Sequence, residues 1–132
     1  MTVEIESLIE LSRIGKPGFK EQILDYLLQF KNVVFRGAGN FGGTFGPFLI
    51  RELKNKQQYV YWDVRAKELK QLNDVRVEMP FSSLLKGKET LIINCIPNGS
   101  LSGSKGKQEC LDSGYPNYLS GMALFEALMC DV

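Results

Sequence analysis

The most restrictive feature of this sequence is a continuous apolar run, TLIINCIP, at residues 90–97. The run shows no alternation of polar residues and is bounded by turn signals, which is typical of a strand buried on both faces. Such a strand needs helices on both sides of its sheet. Elsewhere in the chain, short β-branched or aromatic runs alternate with helical patterns. The sequence therefore predicts an α/β fold with a parallel sheet.

The order of the predicted elements favours one topology. Right-handed crossovers give a Rossmann-like, doubly wound parallel sheet of about five strands, in the order 3-2-1-4-5. Residues 1–31 are predicted to form an N-terminal helical pair, packed on a Rossmann-like domain of residues 32–132 within one compact domain. The predicted strands are 33–35, 59–64, 75–79, 90–97 and 117–120, and the predicted helices are 3–14, 19–30, 47–55, 66–72, 80–87, 107–114 and 121–130.

Composition excludes several classes of function. The chain has no histidine, which rules out serine–histidine and cysteine–histidine nucleophilic sites and argues against zinc or another metal. A net charge of +1 gives no reason to expect nucleic acid or an anionic membrane as a partner. The three cysteines form no CxxC pair, and no apolar run is long enough to span a bilayer. We therefore expect a soluble, cytoplasmic, reduced protein.

A glycine-rich segment follows the first predicted strand. Five glycines fall between residues 37 and 46, and three of them, Gly37, Gly39 and Gly42, match GxGxxG. The motif lies between a predicted strand and a predicted helix, which is the context of a dinucleotide-binding loop. There the first glycine permits a tight turn, the second lets the backbone approach a pyrophosphate, and the third lets helix and strand pack closely. The predicted ligand-binding residues are Arg36, Gly37, Ala38, Gly39, Asn40, Phe41, Gly42 and Gly43.

Three features of the loop qualify this interpretation. A P-loop is excluded, because Gly43 stands where the phosphate-binding lysine would be. Gly46 and Pro47 are poor residues for the first turns of a helix, so the regular helix is expected to begin only near Pro47. Arg36 either clamps a phosphate or emerges at the sheet edge.

An acidic residue, Asp63, ends the second predicted strand, 21 positions after Gly42. In a dinucleotide site such a residue accepts hydrogen bonds from a ribose hydroxyl, which predicts an NAD-like ligand. Arg65 nearby weakens the preference for NAD over NADP, since an arginine there accepts a 2′-phosphate. Alternatively, Asp63 is only a turn-former or a helix cap.

The segment after strand 90–97 is expected to border the same ligand, since ligands bind outside the carboxyl ends of parallel strands. Its predicted contacts are Cys95, Pro97 and Asn98. No arrangement of residues argues for catalysis, because Cys95 has no base nearby and its apolar surroundings raise its pKa. Whether the chain is an enzyme stays open.

Four segments together resemble a known module: NVVFRGAGNFGGTFGPFLIREL, YVYWDV, VEMPFSSLLKGKETLIINCIPN and QECLDSGYPNYLSGMALFEAL. They resemble the small Rossmann-like module found ahead of the methyltransferase domain in some FkbM-type methyltransferases and in related sugar-modifying proteins. The resemblance covers residues 32–129. It implies that Gly37, Gly39, Gly42 and Asp63 hold a nucleotide or a nucleotide-sugar.

Three functional hypotheses follow. The first is a nucleotide-binding domain whose ligand is NAD or a nucleotide-sugar, with no self-contained catalytic site. The second is an NAD(P)-dependent oxidoreductase that is complete only as an oligomer. The third is an interaction or regulatory module with a vestigial glycine loop. Expected partners are the small-molecule nucleotide and either a second copy of the chain or a partner enzyme domain.

Overall fold

A six-stranded, mostly parallel sheet forms the centre of the molecule. The computed structural model describes residues 5–13, 18–82, 84–96 and 103–130. Within these ranges the chain has six strands and five α-helices. The strands are β1 (Asn32–Arg36), β2 (Gln58–Trp62), β3 (Gln71–Leu72), β4 (Val75–Glu78), β5 (Thr90–Asn94) and β6 (Tyr118–Ser120). The helices are α1 (Ile5–Arg13), α2 (Lys20–Leu27), α3 (Asn40–Glu52), α4 (Gly103–Asp112) and α5 (Gly121–Cys130).

The strand order is β3-β4-β2-β1-β5-β6. It differs from the predicted five-strand order because a sixth strand, β3, pairs antiparallel with β4 at one edge and makes the sheet mixed. The pairings of β1 with β2 and β5, of β2 with β4, and of β5 with β6 are all parallel. The carboxyl ends of five strands therefore lie along one edge of the sheet.

Both faces of the sheet are covered. Alternate residues of β1 point to opposite sides: Val33 and Phe35 join a core formed with α1, α2, α3 and α5, whereas Val34 joins a smaller core with Cys110 of α4. All five residues of β1 and all five of β5 are buried. The continuous apolar pattern of β5 thus reflects its two covered faces, as predicted.

The two N-terminal helices belong to the larger core. Leu8 and Ile9 of α1 and Ile23 of α2 are buried in the same cluster as the sheet residues. The hydroxyl of Ser12 donates to the carbonyl of Ala127 in α5 at 2.6 Å, which fixes α1 against the last helix.

Several predicted elements are wrong. The helix after β1 begins at Asn40, not near Pro47, so Pro47 lies inside α3. The predicted helical segment 66–72 instead contains a turn and β3, because the Asn73–Asp74 pair closes a β-hairpin with β4. Residues 80–82 form turn and coil, and a short 3₁₀ helix comes later, at Gly87–Glu89. Helix α4 begins at Gly103, before its predicted start, and its end is followed by Gly114 with φ +90°, as expected for a glycine cap.

Among the described helices, none has both the length and the apolar composition needed to cross a bilayer.

Candidate functional site

The glycine loop lies at the carboxyl end of β1, between two neighbouring strands. Strand β1 pairs with β2 on one side and with β5 on the other. The chain leaves β1 toward α3 on the face of the larger core, whereas β5 is followed by α4 on the opposite face. The elements that follow these two neighbouring strands therefore lie on opposite faces of the sheet.

Two glycines of the loop are required by the fold itself. Gly37 has φ +111°, a left-handed conformation that side chains rarely adopt, and its N–H donates to the Trp62 carbonyl at 2.8 Å. A Cβ at Gly42 would lie 2.0 Å from the Gly37 carbonyl oxygen, so the start of α3 presses directly on the end of β1. These are the tight turn and the close helix–strand contact that the motif predicts for the two positions.

Two further glycines belong to the packing of α3 against its neighbours. A Cβ at Gly46 would lie 2.3 Å from the hydroxyl oxygen of Tyr61 on β2. A Cβ at Gly43 would meet a methyl group of Leu72 at 3.4 Å, which is an ordinary van der Waals contact. The unusual number of glycines in this segment therefore has a structural cause in addition to any ligand.

Gly39 is different from the other four. Among the described residues, no atom lies within 4 Å of the Cβ that could be built on it, and its φ of −84° is open to any residue. It is the N-cap of α3, and the N–H groups of a helix's first turn have no acceptor within the helix. The positive end of the helix dipole adds to an environment that favours an anion. At this position the backbone is accessible and the fold does not require a glycine.

Asp63 connects the loop to the end of β2. Its carboxylate accepts the Ala38 N–H at 2.8 Å and the Arg65 backbone N–H at 2.9 Å. The Arg65 guanidinium donates to both oxygens, at 2.9 and 3.0 Å. These bonds, those from the Arg65 guanidinium above all, lower the pKa of Asp63 to about 2. The turn-forming role considered from the sequence is thus present, and a ribose hydroxyl would have to compete with Arg65 for this carboxylate.

Arg36 points away from the α3 side of the sheet. It is the last residue of β1 and its side chain, only 6% exposed, pairs with Glu109 of α4. The guanidinium carbon lies 4.9 Å from the centre of the Phe81 ring, and the Cys110 sulfur is 3.9 Å from one of its nitrogens. Arg36 thus lies at the carboxyl edge of the sheet, and its guanidinium is held beneath α4 in an ion pair with Glu109, whose side chain is partly exposed.

Cys95 lies directly beside the glycine loop, but its thiol is in an environment that disfavours reactivity. Its N–H donates to the Arg36 carbonyl at 2.8 Å, and its Cβ would be 3.3 Å from a Cβ at Gly42. Burial raises the pKa of the Cys95 thiol to about 12, so it stays protonated at neutral pH, as predicted. The other two predicted contacts of this segment, Pro97 and Asn98, lie outside the described residues.

The remaining loop residues divide between core and surface. Phe41 stacks on Phe45 at 5.3 Å between ring centres and meets Phe125 edge-on at 5.9 Å, so its side chain serves the core. The Asn40 side chain is exposed at the start of α3, where it is accessible to a ligand.

Two residues that contact the loop helix were missed in the sequence. The Tyr61 hydroxyl donates to the Gly42 carbonyl at 2.8 Å, and the Asn73 side-chain amide donates to the Gly43 carbonyl at 2.9 Å. Burial raises the pKa of Tyr61 to about 12, so the phenol stays a neutral donor. The Asn73–Asp74 dipeptide, a common hairpin turn signal, was the clue to this arrangement.

Clefts elsewhere in the described residues do not extend this site. One, of about 360 Å³, lies between α1, α4 and β6, where the charges of Glu6 and Lys107 pair at 3.4 Å. Another, of about 590 Å³, lies between the C-terminal half of α3 and the β3–β4 turn. The first is lined by charges that neutralise each other, and the second is at the far end of α3 from Gly39.

Comparisons of the chain with protein-family models, with curated proteins and with solved structures found no match. The contacts of the glycine loop with β2, β5 and the β3–β4 hairpin are thus the starting point for any functional assignment.

Proposed function

We propose that this chain is a nucleotide-binding Rossmann-like domain that holds a dinucleotide or a nucleotide-sugar at residues 37–43. The observation that carries the proposal is the open space at Gly39. Left-handed backbone or close contact accounts for Gly37, Gly42 and Gly46, but no contact with the residues that the structure describes accounts for Gly39. Because glycine at a position costs conformational entropy on folding, its presence here favours close approach of a ligand to the backbone.

The sheet supports the same proposal. When the hairpin strand β3 is set aside, the parallel strands follow one another as β4-β2-β1-β5-β6. Doubly wound sheets of this kind bind ligands where connections to opposite faces diverge, which here is between β1 and β5. The helix start at Asn40 offers N–H groups to a phosphate.

The diphosphate is the part of the ligand that the loop would recognise, because NAD and nucleotide-sugars share it. Recognition of an NAD ribose by Asp63 requires displacement of Arg65, whose side chain is 52% exposed and able to swing into solvent. We further propose that the protein works in the cytoplasm, where a second copy or a partner enzyme domain supplies any catalytic groups.

Thermal unfolding in the presence of candidate ligands tests the proposal. The ligands are NAD, NADP and UDP-glucose, each measured with the wild-type chain and with Gly39→Val. A ligand at about 100 times its dissociation constant adds roughly 2.7 kcal/mol to the unfolding free energy and raises the midpoint by several degrees. Gly39→Val should lose this shift while costing no more than about 1 kcal/mol of stability, since valine is only a poorer N-cap.

Thr44→Ala is the matched control. Thr44 is exposed on α3 just beyond residues 37–43, and its hydroxyl bonds to the Asn40 carbonyl at 2.9 Å, so the ligand-induced shift should persist. A wild-type chain that shows no shift with any of the three ligands contradicts the proposal. A shift that survives Gly39→Val moves the binding site away from the loop.

One observation favours a second candidate, an interaction module with a vestigial loop. The carboxylate of Asp63 accepts hydrogen bonds from Ala38 and Arg65, which join the loop to the turn after β2. If no ligand changes the unfolding midpoint, these bonds favour a structural role for the loop.

A further inference from the structure

The hydrogen-bond ladder of α3 is interrupted close to the glycine loop. Pro47 lies seven residues after Asn40, inside the helix. Proline has no N–H, so the carbonyl four residues earlier, that of Gly43, lacks the donor that an α-helix normally supplies. In general a proline ring also crowds the carbonyl four residues earlier. A helix start that binds a ligand through its N–H groups would be loosened by such a break.

The β3–β4 hairpin supplies the missing donor. The Asn73 side-chain amide bonds to the Gly43 carbonyl at 2.9 Å. Asn73 and Asp74 have φ of +54° and +65°, the left-handed pair that closes a two-residue hairpin and aims this amide at the helix. The preceding residue, Leu72, packs over Gly43, which holds the hairpin against α3.

A second donor acts on the neighbouring carbonyl. The Tyr61 hydroxyl bonds to Gly42 at 2.8 Å, so two consecutive carbonyls of α3 are held from outside the helix. Gly42 is also the residue whose backbone presses on Gly37 at the end of β1. The hairpin, the first turns of α3 and the glycine loop therefore form one connected unit.

We propose that Asn73 is a positioning residue of the nucleotide loop, and that its amide stands in for the N–H that Pro47 lacks. By holding the Gly43 carbonyl it sets the direction of the first turns of α3, and so the aim of the N–H groups at the loop. The inference rests on the proposed function for its effect on ligand affinity. The hydrogen-bond substitution itself is independent of any ligand.

A double-mutant cycle between positions 47 and 73 tests the proposal. Asn73→Gly removes the amide while keeping a residue that tolerates positive φ, so the turn survives. Pro47→Ala restores a backbone N–H opposite the Gly43 carbonyl. The dissociation constants of NAD and UDP-glucose and the unfolding midpoint are measured for the wild type, both single variants and the double variant.

We expect Asn73→Gly to weaken binding about tenfold, or ~1.4 kcal/mol, in the Pro47 chain. In the Pro47→Ala chain the same change should alter binding less than about twofold, because the helix then supplies its own donor. The unfolding midpoint should show the same coupling. If Asn73 only stabilises the turn, Asn73→Gly will lower the ligand affinity and the unfolding midpoint equally in the Pro47 and Pro47→Ala chains. That result would overturn the proposal.

Two further variants keep the test decisive. Asn73→Asp retains the turn but replaces the donor with an acceptor, so it should weaken ligand binding as much as Asn73→Gly does. Asp74→Gly changes the neighbouring turn residue, which has φ +65°, and should leave binding unchanged. Coupling without ligand binding by the wild type would overturn the proposed function and the positioning role together. Binding by the wild type without coupling would overturn the role of Asn73 alone.

Discussion

Single atoms decide what the loop residues do. At Gly42 and Gly46 one added carbon would collide with a carbonyl or a hydroxyl oxygen, whereas at Gly39 it would touch no atom in the part of the chain that the structure describes. The two carboxylate oxygens of Asp63 likewise make several contacts, since they accept hydrogen bonds from the loop, the following turn and the Arg65 side chain. At this scale a residue type that looks like a ligand contact in the sequence is often also a structural contact.

The Asp63–Arg65 contact predicts a dependence of stability on pH. The folded-state pKa of Asp63, about 2, lies below its usual 3.8, so the contact stabilises the fold at pH above about 4 and is lost as the pH falls toward 2. Asp63→Asn should cost about 1–2 kcal/mol at pH 7, since the exposed guanidinium is partly screened by solvent. Urea denaturation should show this difference shrinking between pH 5 and pH 3.

Asp74→Asn is the control for that experiment, because it removes an exposed carboxylate in the hairpin turn. Its effect should be small at both pH values. A difference between wild type and Asp63→Asn that stays constant with pH would exclude the ion pair as its source.

Helix α3 is stabilised by contacts with other elements of the fold. Its sequence contains three glycines and an internal proline, and yet it runs for 13 residues. Tyr61 and Asn73 bond to its carbonyls, and Phe45 and Leu49 anchor its apolar side in the core. Tertiary contacts thus override a local propensity that argues against a helix.

The contact between Tyr61 and Gly46 gives a prediction about this element. Gly46→Ala should destabilise the protein by roughly 1–3 kcal/mol, because the new Cβ meets the phenol oxygen and overpacking outweighs the better helix propensity of alanine. In the Tyr61→Phe background the cost should be smaller, since the nearest atom, at 2.3 Å, is gone. Urea denaturation of the four chains measures both effects.

Gly43→Ala is the matched control for stability, since its Cβ makes an ordinary contact at 3.4 Å and should be neutral or mildly stabilising. Equal costs of Gly46→Ala with tyrosine or phenylalanine at position 61 would mean that the hydroxyl is not the obstacle.

At the scale of the whole molecule, the sheet joins two cores into one unit. The larger core includes α1 and α2, and the smaller one, under α4, contains Trp62, the chain's single tryptophan. The strands contribute side chains to both. Loss of packing on one face should therefore be felt on the other.

Ile9→Ala tests this coupling. Ile9 lies in α1 and is only 5% exposed, so its truncation should lower the free energy of unfolding by about 2–5 kcal/mol. Trp62 fluorescence and far-UV circular dichroism in urea should report the same, lowered midpoint, although Trp62 lies on the other face. Leu111→Ala, at a 51% exposed position, should change stability by less than about 0.5 kcal/mol. A Trp62 transition that does not respond to Ile9→Ala would make α1 a separate unit.

Much of the sheet, but only part of the candidate site, could be predicted from the sequence. The apolar runs around Val34 and Ile92 predicted buried parallel strands, because a strand whose sheet is covered on both faces has apolar residues at consecutive positions. The start of α3 was missed because its compensating donors, Tyr61 and Asn73, come from distant segments. The burial of Arg36 was missed for the same reason, since Glu109 and Phe81 are far along the chain. The roles of Gly37 and Gly42 were predictable because the motif records backbone geometry directly.

The composition of α3 has a consequence for the order in which the molecule assembles. Each glycine disfavours helix by about 1 kcal/mol and the proline by about 3 kcal/mol relative to alanine. We therefore expect the first half of α3 to become helical only when β1, β2 and the hairpin are in place to hold it. The same weak helix propensity predicts that the amide hydrogens of this segment exchange with solvent ahead of those in the central strands, which hydrogen–deuterium exchange measures.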